Sequence, residues 1–194
     1  MGDCQKSDDR VFVLKVDHQD RITAVNENWL AFAVENGGDN LADGSVLGGS
    51  LWSHISSDST RHIYRTLFTK ARQEGRCFTV PFRCDSPDCR RFLKMEIVPS
   101  ADGAVTMESM VIKTEEREHV SLLEPDIDRS DDFISMCSYC KKIPVDDTTW
   151  HEVEEAIRIL DLLSLEKPPR ITHTICPACY DDISKVEEFG SLAT

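Results

Sequence analysis

The chain has 194 residues, 40% hydrophobic and 29% charged, which is the composition of a globular protein with room for one ordinary domain and a small appendage. Its net charge of −13 argues against a general nucleic-acid surface, because phosphate binding needs clustered lysine and arginine. No apolar stretch reaches the roughly 18 residues of a membrane helix, and the start MGDCQKSDDR has no apolar signal core, so we expect a cytoplasmic protein without a membrane partner.

The first half of the chain begins with two short strands and two helices. RVFVLKV (10 to 16) and RITAV (21 to 25) flank a polar turn and predict a hairpin. Asn26 can cap a helix, ENWLAFAVENGG, that stops at Gly37. After an irregular glycine-rich stretch, DSTRHIYRTLFTKARQEG predicts a longer amphipathic helix ending at Gly75. Its apolar face comprises Ile63, Leu67, Phe68 and Ala71.

Three further strands are predicted at residues 77–84, 91–99 and 104–112, separated by the turn sequences DSPD and SADG. In the second of them Leu93, Met95 and Ile97 alternate with polar neighbours, as in a sheet with one face on a core. The order of elements indicates an α+β fold around a single antiparallel sheet.

VDHQDRITAVNENWLAF, followed by GGSLWSHISSDS, a longer helix and three strands, resembles a PAS domain, a sensor module of signalling proteins. The resemblance covers residues 10–113. It implies a five-stranded antiparallel sheet with helices on one face, and often a ligand or cofactor pocket between them. Candidates to line that pocket are Trp29, Phe32, Trp52, His54, Phe68, Phe82 and Met95, although ordinary core is the favoured interpretation of the apolar ones and an exposed or hydrogen-bonded side chain that of His54. A haem held by His54 or His62 is an alternative.

After Ile112 the sequence becomes acidic: residues 113–134 carry 3 basic and 8 acidic groups. We interpret residues 114–133 as a helical extension of the last strand followed by a flexible linker. The expected organisation is therefore a disordered N-terminus (1–9), a PAS-like domain (10–113), this linker, and a small C-terminal domain (134–190).

The C-terminal part contains MCSYCKKI and THTICPACY, in which the cysteine pairs 137/140 and 176/179 each enclose two residues. In a reducing compartment such pairs favour a metal over a disulfide framework. Two knuckles supply four thiolates to a tetrahedral zinc ion, and Lys141 and Lys142 can offset their charge. We therefore predict zinc bound by Cys137, Cys140, Cys176 and Cys179, with His173 next to the site or at the surface. Redox-active CxxC pairs and an iron or iron–sulfur site are the alternatives.

The segment between the pairs, TTWHEVEEAIRILDLLSLEK, predicts a helix with a capping box of Thr149 and Glu152 and an apolar face of Val153, Ala156, Ile157 and Leu160. With its two pairs and a tryptophan between them, the region around residues 134–183 resembles a cysteine-rich segment that follows sensor or receiver domains in bacterial signalling proteins. Thr174 stands where glycine is usual in that segment.

Of the other cysteines, Cys84 and Cys89 flank the turn DSPD and could meet across the hairpin, although we expect free thiols there. Cys77 is expected in the core.

The chain contains no nucleophile elbow, phosphate-binding glycine loop, HExxH or kinase motif, so we expect no catalysis. The favoured function is a cytoplasmic sensor whose PAS part detects a ligand, redox state or partner and whose zinc module relays this by contact with a signalling protein. Alternatives are an enzyme or haem/redox sensor with chemistry in the PAS pocket, and a zinc-dependent transcriptional regulator. A homodimer is also expected, through a strand edge bearing Val11, Phe12 and Leu14.

Overall fold

The computed structural model describes residues 9–36, 38, 41 and 44–189. The part that we call the sheet region, residues 9–116, contains strands β1 (Val11–Val16), β2 (Ile22–Val25), β3 (Phe78–Arg83), β4 (Cys89–Pro99) and β5 (Val105–Glu116), helices α1 (Glu27–Glu35) and α2 (Asp58–Glu74), and a 3-10 turn (Leu51–His54). The predicted helix stop at Gly37 lies outside the described residues, as does the predicted disordered start apart from Asp9.

The five strands form one antiparallel sheet in the order β2-β1-β5-β4-β3. Helices pack on the sheet face that carries its buried side chains, which confirms the predicted α+β, PAS-like fold. β1 pairs with β2 on one side and with β5 on the other, so the expectation that it presents a free edge is wrong. Phe12 and Leu14 are buried in the core rather than exposed for pairing.

The start of α1 is fixed by one side chain that also binds the sheet. The carboxamide oxygen of Asn26 accepts hydrogen bonds from the backbone N–H groups of Trp29 at 2.9 Å and Val13 at 3.1 Å. Its amide nitrogen donates to the carbonyl of Val11 at 2.8 Å. The predicted cap is therefore confirmed, and it also anchors the helix to β1.

Helix α2 is the main cover of the sheet. Its start is capped by the Ser57 hydroxyl, which accepts the N–H of Thr60 at 3.2 Å. It ends at Gly75, where φ is +64°, a conformation that costs glycine little. The four residues of the predicted apolar face are all buried, and each large side chain contributes about 1.5–3 kcal/mol by leaving water.

The acidic segment after the sheet does not form the predicted helical extension. β5 continues to Glu116, and the only helical turn described between it and residue 133 is a 3-10 turn at Ser121–Leu123. The Arg117 guanidinium, 3% exposed, donates to the Asp85 carboxylate at 3.2 Å and to the Ser86 carbonyl at 2.6 Å. Buried arginine contacts thus hold the segment against the sheet region.

The four-cysteine region, which we define as residues 133–189, contains strands β6 (Phe133–Cys137), β7 (Ile143–Pro144), β8 (Trp150–His151) and β9 (Arg170–Thr174), helices α3 (Val153–Ile159) and α4 (Pro177–Phe189), and a 3-10 turn (Leu162–Ser164). β6 and β9 are parallel, whereas β7 and β8 form a two-residue antiparallel pair. A small core of its own includes Ile143, Val153 and Ala156.

Helix α3 is shorter than predicted, and the capping box is wrong. The Asp146 carboxylate instead accepts the N–H groups of Thr148 and Thr149, both at 2.8 Å, and these hydrogen bonds lower the pKa of Asp146 to about 2. Trp150 and His151 form β8, and the helix therefore starts only at Val153. The predicted apolar face is confirmed at Val153, Ala156 and Ile157, which are buried.

The two regions share a packed interface. Cys137, Tyr139, Cys176, Ile183 and Val186 belong to the same buried cluster as the core of the sheet region. Beside it the Arg83 guanidinium, 8% exposed, lies 2.5 Å from the Asp85 carboxylate and 2.8 Å from that of Glu152. Burial opposes the charge of Arg83, but the hydrogen bonds to both carboxylates raise its pKa above the usual range.

Candidate functional site

The first cysteine pair is held by a tight turn at the end of β6. The N–H of Cys137 donates to the carbonyl of Lys142 at 2.8 Å, and the N–H of Lys141 donates to the carbonyl of Cys137 at 3.1 Å. Lys141 adopts φ of +61°, which closes the turn, and its ammonium donates to the Ser138 carbonyl at 2.9 Å. The turn directs Cys137 and Cys140 to the same side, as a metal knuckle requires.

The second pair follows β9 and enters the first turn of α4. The parallel pairing of Cys137 with Thr174 places the two knuckles side by side. The N–H of Cys176 donates to the sulfur of Cys137, and the N–H of Cys179 to the sulfur of Cys176, both at 3.4 Å. Thr174, at the position where glycine is usual, is the last residue of a strand, so its extended backbone suits a β-branched side chain.

The four sulfur atoms lie within 4.8 Å of one another, and those of Cys140 and Cys176 are 3.7 Å apart. A tetrahedron with metal–sulfur bonds of 2.3 Å has edges of about 3.8 Å. The predicted ligand set is thus brought together at close to the spacing that a metal ion requires. The donor set therefore fits a metal ion.

Electrostatics add a second reason for a cation at this point. Hydrogen bonds from the thiols of Cys140 and Cys179 lower the pKa of Cys137, which favours one thiolate. The hydrogen bond to Cys137 in turn raises the pKa of Cys140 to about 12, and hydrogen bonds to Cys137 and Cys140 raise that of Cys179 well above its ordinary value; burial and repulsion between negative charges add to both shifts. Four thiolates can coexist here only when a positive ion compensates them.

The predicted neighbour His173 lies in β9, opposite Met136, and its side chain is exposed. Although the residue is exposed to solvent, neighbouring chain atoms partly desolvate its ring, and this effect and the charge of Lys141 lower its pKa. It is not a member of the four-sulfur cluster.

A cavity of about 230 Å³ lies inside the sheet region, between the sheet and its helices. Its wall consists of apolar side chains and two hydroxyl-bearing ones: Phe12, Leu14, Trp29, Leu51, Ile55, Tyr64, Met95, Met107 and Ser109. Of the predicted pocket residues, Trp29 and Met95 line it. Burial raises the pKa of Tyr64 to about 12, so this phenol stays neutral at physiological pH.

The other predicted pocket residues lie elsewhere. Phe32 packs on Phe12 with ring centroids 4.6 Å apart, and Trp52 packs on the buried Phe68 at 5.7 Å. Phe82 is half-buried against the core, and the side chains of His54 and His62 are exposed. The imidazoles proposed as haem ligands are therefore not part of the cavity wall.

Sequence reasoning missed seven of the nine wall residues: Phe12, Leu14, Leu51, Ile55, Tyr64, Met107 and Ser109. Strand alternation places Met107 and Ser109 on the same face of β5 as the buried Val105, and this pattern could have identified them as wall residues. Tyr64 follows the buried Ile63 in α2, and helical periodicity alone did not place its ring in the cavity.

Among the remaining cysteines, Cys84 is a free thiol as expected. Cys89 is buried and is not a free thiol, so the expectation of a free thiol at this position was wrong. Cys77 is exposed rather than in the core.

No protein-family model and no curated protein matches the chain. Among solved structures, it is similar to a domain of an HTR-like protein from Haloarcula marismortui, with 17% identity and a TM-score of 0.38 over 53% of this chain and 98% of that one. It is also similar to a sensory box sensor histidine kinase from Vibrio cholerae, with 13% identity and a TM-score of 0.38 over 54% and 83% of the two chains. The fold assignment rests on the order and pairing of the strands themselves.

Within the described part of the chain, every helix is too short or too polar to cross a bilayer.

Proposed function

We propose that this protein is a non-catalytic signalling sensor. The cavity of the sheet region binds a small ligand, and the four-cysteine region, stabilised by zinc, relays the bound state to a signalling partner by protein contact. The observation that carries this proposal is the placement of an apolar cavity and a four-sulfur cluster on either side of one shared core.

The cavity wall indicates the class of ligand. Its volume of about 230 Å³ is below the 300–1,000 Å³ typical of drug-sized ligands, which favours a compact molecule. The wall carries no formal charge, so a charged ligand would lose its hydration without compensation. Tyr64 and Ser109 offer hydroxyl groups that can orient a polar atom. We therefore infer a small, uncharged, largely apolar ligand.

Zinc is the metal that we infer for the cluster. Four cysteine thiolates in a tetrahedron are the ligand set of structural zinc sites. With all four positions taken by the protein, a structural role follows rather than catalysis.

The relay by contact is supported by the surface of the four-cysteine region. Five of the eight large hydrophobic side chains that are exposed among the described residues lie there. They are Phe133, Ile159, Leu163, Leu165 and Tyr180, of which Leu163 is 75% exposed. Three of them, Ile159, Leu163 and Leu165, lie within seven residues of the chain, and we infer that this segment contributes to the contact with a partner.

The ligand class can be tested with two probes of similar size that differ in charge. Ligand-observed NMR should show benzene binding to the full-length protein and benzoate not binding. Equal binding of both probes, or of neither, would contradict a neutral apolar cavity.

Self-association remains a prediction, although β1 no longer supplies its interface. Light scattering at micromolar concentration tests it: a mass near the 21.9 kDa of one chain means a monomer and removes the homodimer from the proposal.

A further inference from the structure

One aromatic side chain belongs to both the cavity wall and the interface with the four-cysteine region. Tyr64, on α2, lines the cavity. Its ring stacks on that of Tyr139, with centroids 6.4 Å apart and planes 25° from parallel. Tyr139 lies between Cys137 and Cys140 in the first knuckle. A single ring therefore separates the cavity from the loop that presents two metal ligands.

The first knuckle is attached to the sheet region on both sides of this stacked pair. The carbonyl of Tyr139 accepts the N–H of Arg83, at the end of β3, at 2.7 Å. The hydroxyls of Ser138 and Thr60, the latter on α2, are 2.9 Å apart and hydrogen-bonded. These hydrogen bonds and the stacked rings connect α2 and β3 directly to the first knuckle.

The hydroxyl of Tyr139 is buried next to Tyr64, and the interaction of the two phenols affects the pKa of each. Tyr139 is 4% exposed, and among the described residues its hydroxyl has no hydrogen-bond partner of normal geometry. A buried hydroxyl without a partner is unfavourable, so a small shift of Tyr64 that supplies one is favoured. A ligand that contacts Tyr64 would therefore alter the surroundings of the Tyr139 hydroxyl, and a metal that fixes Tyr139 would alter those of Tyr64.

We propose that the small neutral ligand of the cavity and the metal ion of the four cysteines bind with positive coupling, transmitted by the contact between Tyr64 and Tyr139. This inference rests on the proposed function and specifies how its two sites regulate each other. Metal binding fixes Tyr139 against Tyr64, which lines the cavity, so the ligand meets a preformed site. Coupling of this kind is reciprocal: the ligand must strengthen metal binding by the same factor.

The test measures benzene affinity by NMR titration in the full-length protein, first loaded with zinc and then stripped by a chelator. We expect at least fivefold tighter binding to the zinc-loaded form, the lower end of common allosteric couplings. In Tyr139→Ala the two affinities should agree within twofold. The matched control is Tyr180→Ala, which removes an exposed tyrosine directly after Cys179 and should keep the full difference.

A reciprocal measurement in the wild-type protein needs no variant. Saturating benzene should slow zinc release to a chromogenic chelator, and Tyr64→Phe, which removes only the hydroxyl, should weaken this effect. A difference below twofold in both directions, with zinc and benzene each bound, overturns the coupling but leaves the proposed function intact. Failure of zinc or of benzene to bind contradicts the proposed function, and the coupling with it.

Discussion

The sheet region and the four-cysteine region reach a folded state by different means. The sheet region buries a continuous set of large side chains, among them Phe68, Phe78, Leu67 and Ile97, all at most 1% exposed. The four-cysteine region has a smaller core, two strands of only two residues and a seven-residue helix. Apolar burial is sufficient for the first, whereas the second needs a further source of stability.

The difference shows how a small region can be joined to a larger antiparallel-sheet region. Below about 70 residues a hydrophobic core rarely supplies enough free energy, and a structural metal is one common addition. A metal ion held by the four cysteines would join β6, the first knuckle and α4. Its ligands also lie in the core shared with the sheet region, so the metal should influence both regions.

Loss of the metal is the largest perturbation that we predict. Cys176→Ser, or chelation, should abolish hydrogen-exchange protection throughout residues 133–189, because structural zinc commonly contributes about 10 kcal/mol of folding free energy. Protection should also fall in β3 and α2, which contact the region, while the β1–β2 hairpin keeps its protection. Cys77→Ser, at an exposed free thiol, is the matched control. Unchanged protection of β3 and α2 would show that the regions fold independently.

The ion pairs at the interface should give the next largest effect. Arg83→Met leaves the buried Asp85 carboxylate, 2% exposed, without one of its partners, and removing one member of a buried pair costs about 3–5 kcal/mol. Chemical denaturation should show this loss together with increased exchange in α3. Lys113→Gln, which breaks an exposed pair with Glu115, should cost less than about 1 kcal/mol. Similar losses for both variants would contradict a buried, specific interface.

A cavity created by a substitution in the core of the sheet region should destabilise mainly that region. Leu67 is 0% exposed, and Leu67→Ala should lower the free energy of unfolding by about 3 kcal/mol through lost burial and an unfilled space. Zinc stoichiometry should stay at the wild-type value, because no metal ligand is touched. Ile112→Ala, at a side chain 59% exposed, is the control with little expected effect. Loss of zinc from Leu67→Ala would contradict the expectation that this substitution affects mainly the sheet region.

The smallest effect that we predict depends on pH. The His119 ring lies 2.8 Å from the carboxylates of both Asp88 and Glu124, whose hydrogen bonds raise its pKa above 6.5. The pairing of protonated His119 with the two carboxylates therefore stabilises the folded protein fully below pH 6.5, and this stabilisation is lost as pH rises through the raised pKa. NMR titration should give a His119 pKa that falls toward 6.5 in the double variant Asp88→Asn, Glu124→Gln. An unchanged pKa in that variant would show that the carboxylates do not interact with the ring.

The sequence predicted the elements that depend on neighbouring residues. The cap at Asn26, the apolar face of α2 and the left-handed Gly75 all follow from local rules, and each is present. The four metal ligands were predictable for the same reason, because a CxxC pair is a local turn.

Long-range contacts explain what was missed. The helix predicted to start at Thr149 is shortened because Trp150 pairs with Pro144. The local composition of the acidic segment does not predict packing. A long-range contact provides it, because Arg117 binds Asp85, 32 residues earlier. The ring of Tyr64 could not be assigned to the cavity because the wall combines residues from distant parts of the chain, from Phe12 to Ser109.

Native mass spectrometry of the freshly purified, unchelated protein tests the central claim most directly. The account predicts one zinc ion per 21.9 kDa chain in the wild-type protein, retained in Cys77→Ser and lost in Cys176→Ser. A wild-type chain that carries no metal, or a Cys176→Ser chain that keeps it, would contradict the four-cysteine site on which the proposed function depends.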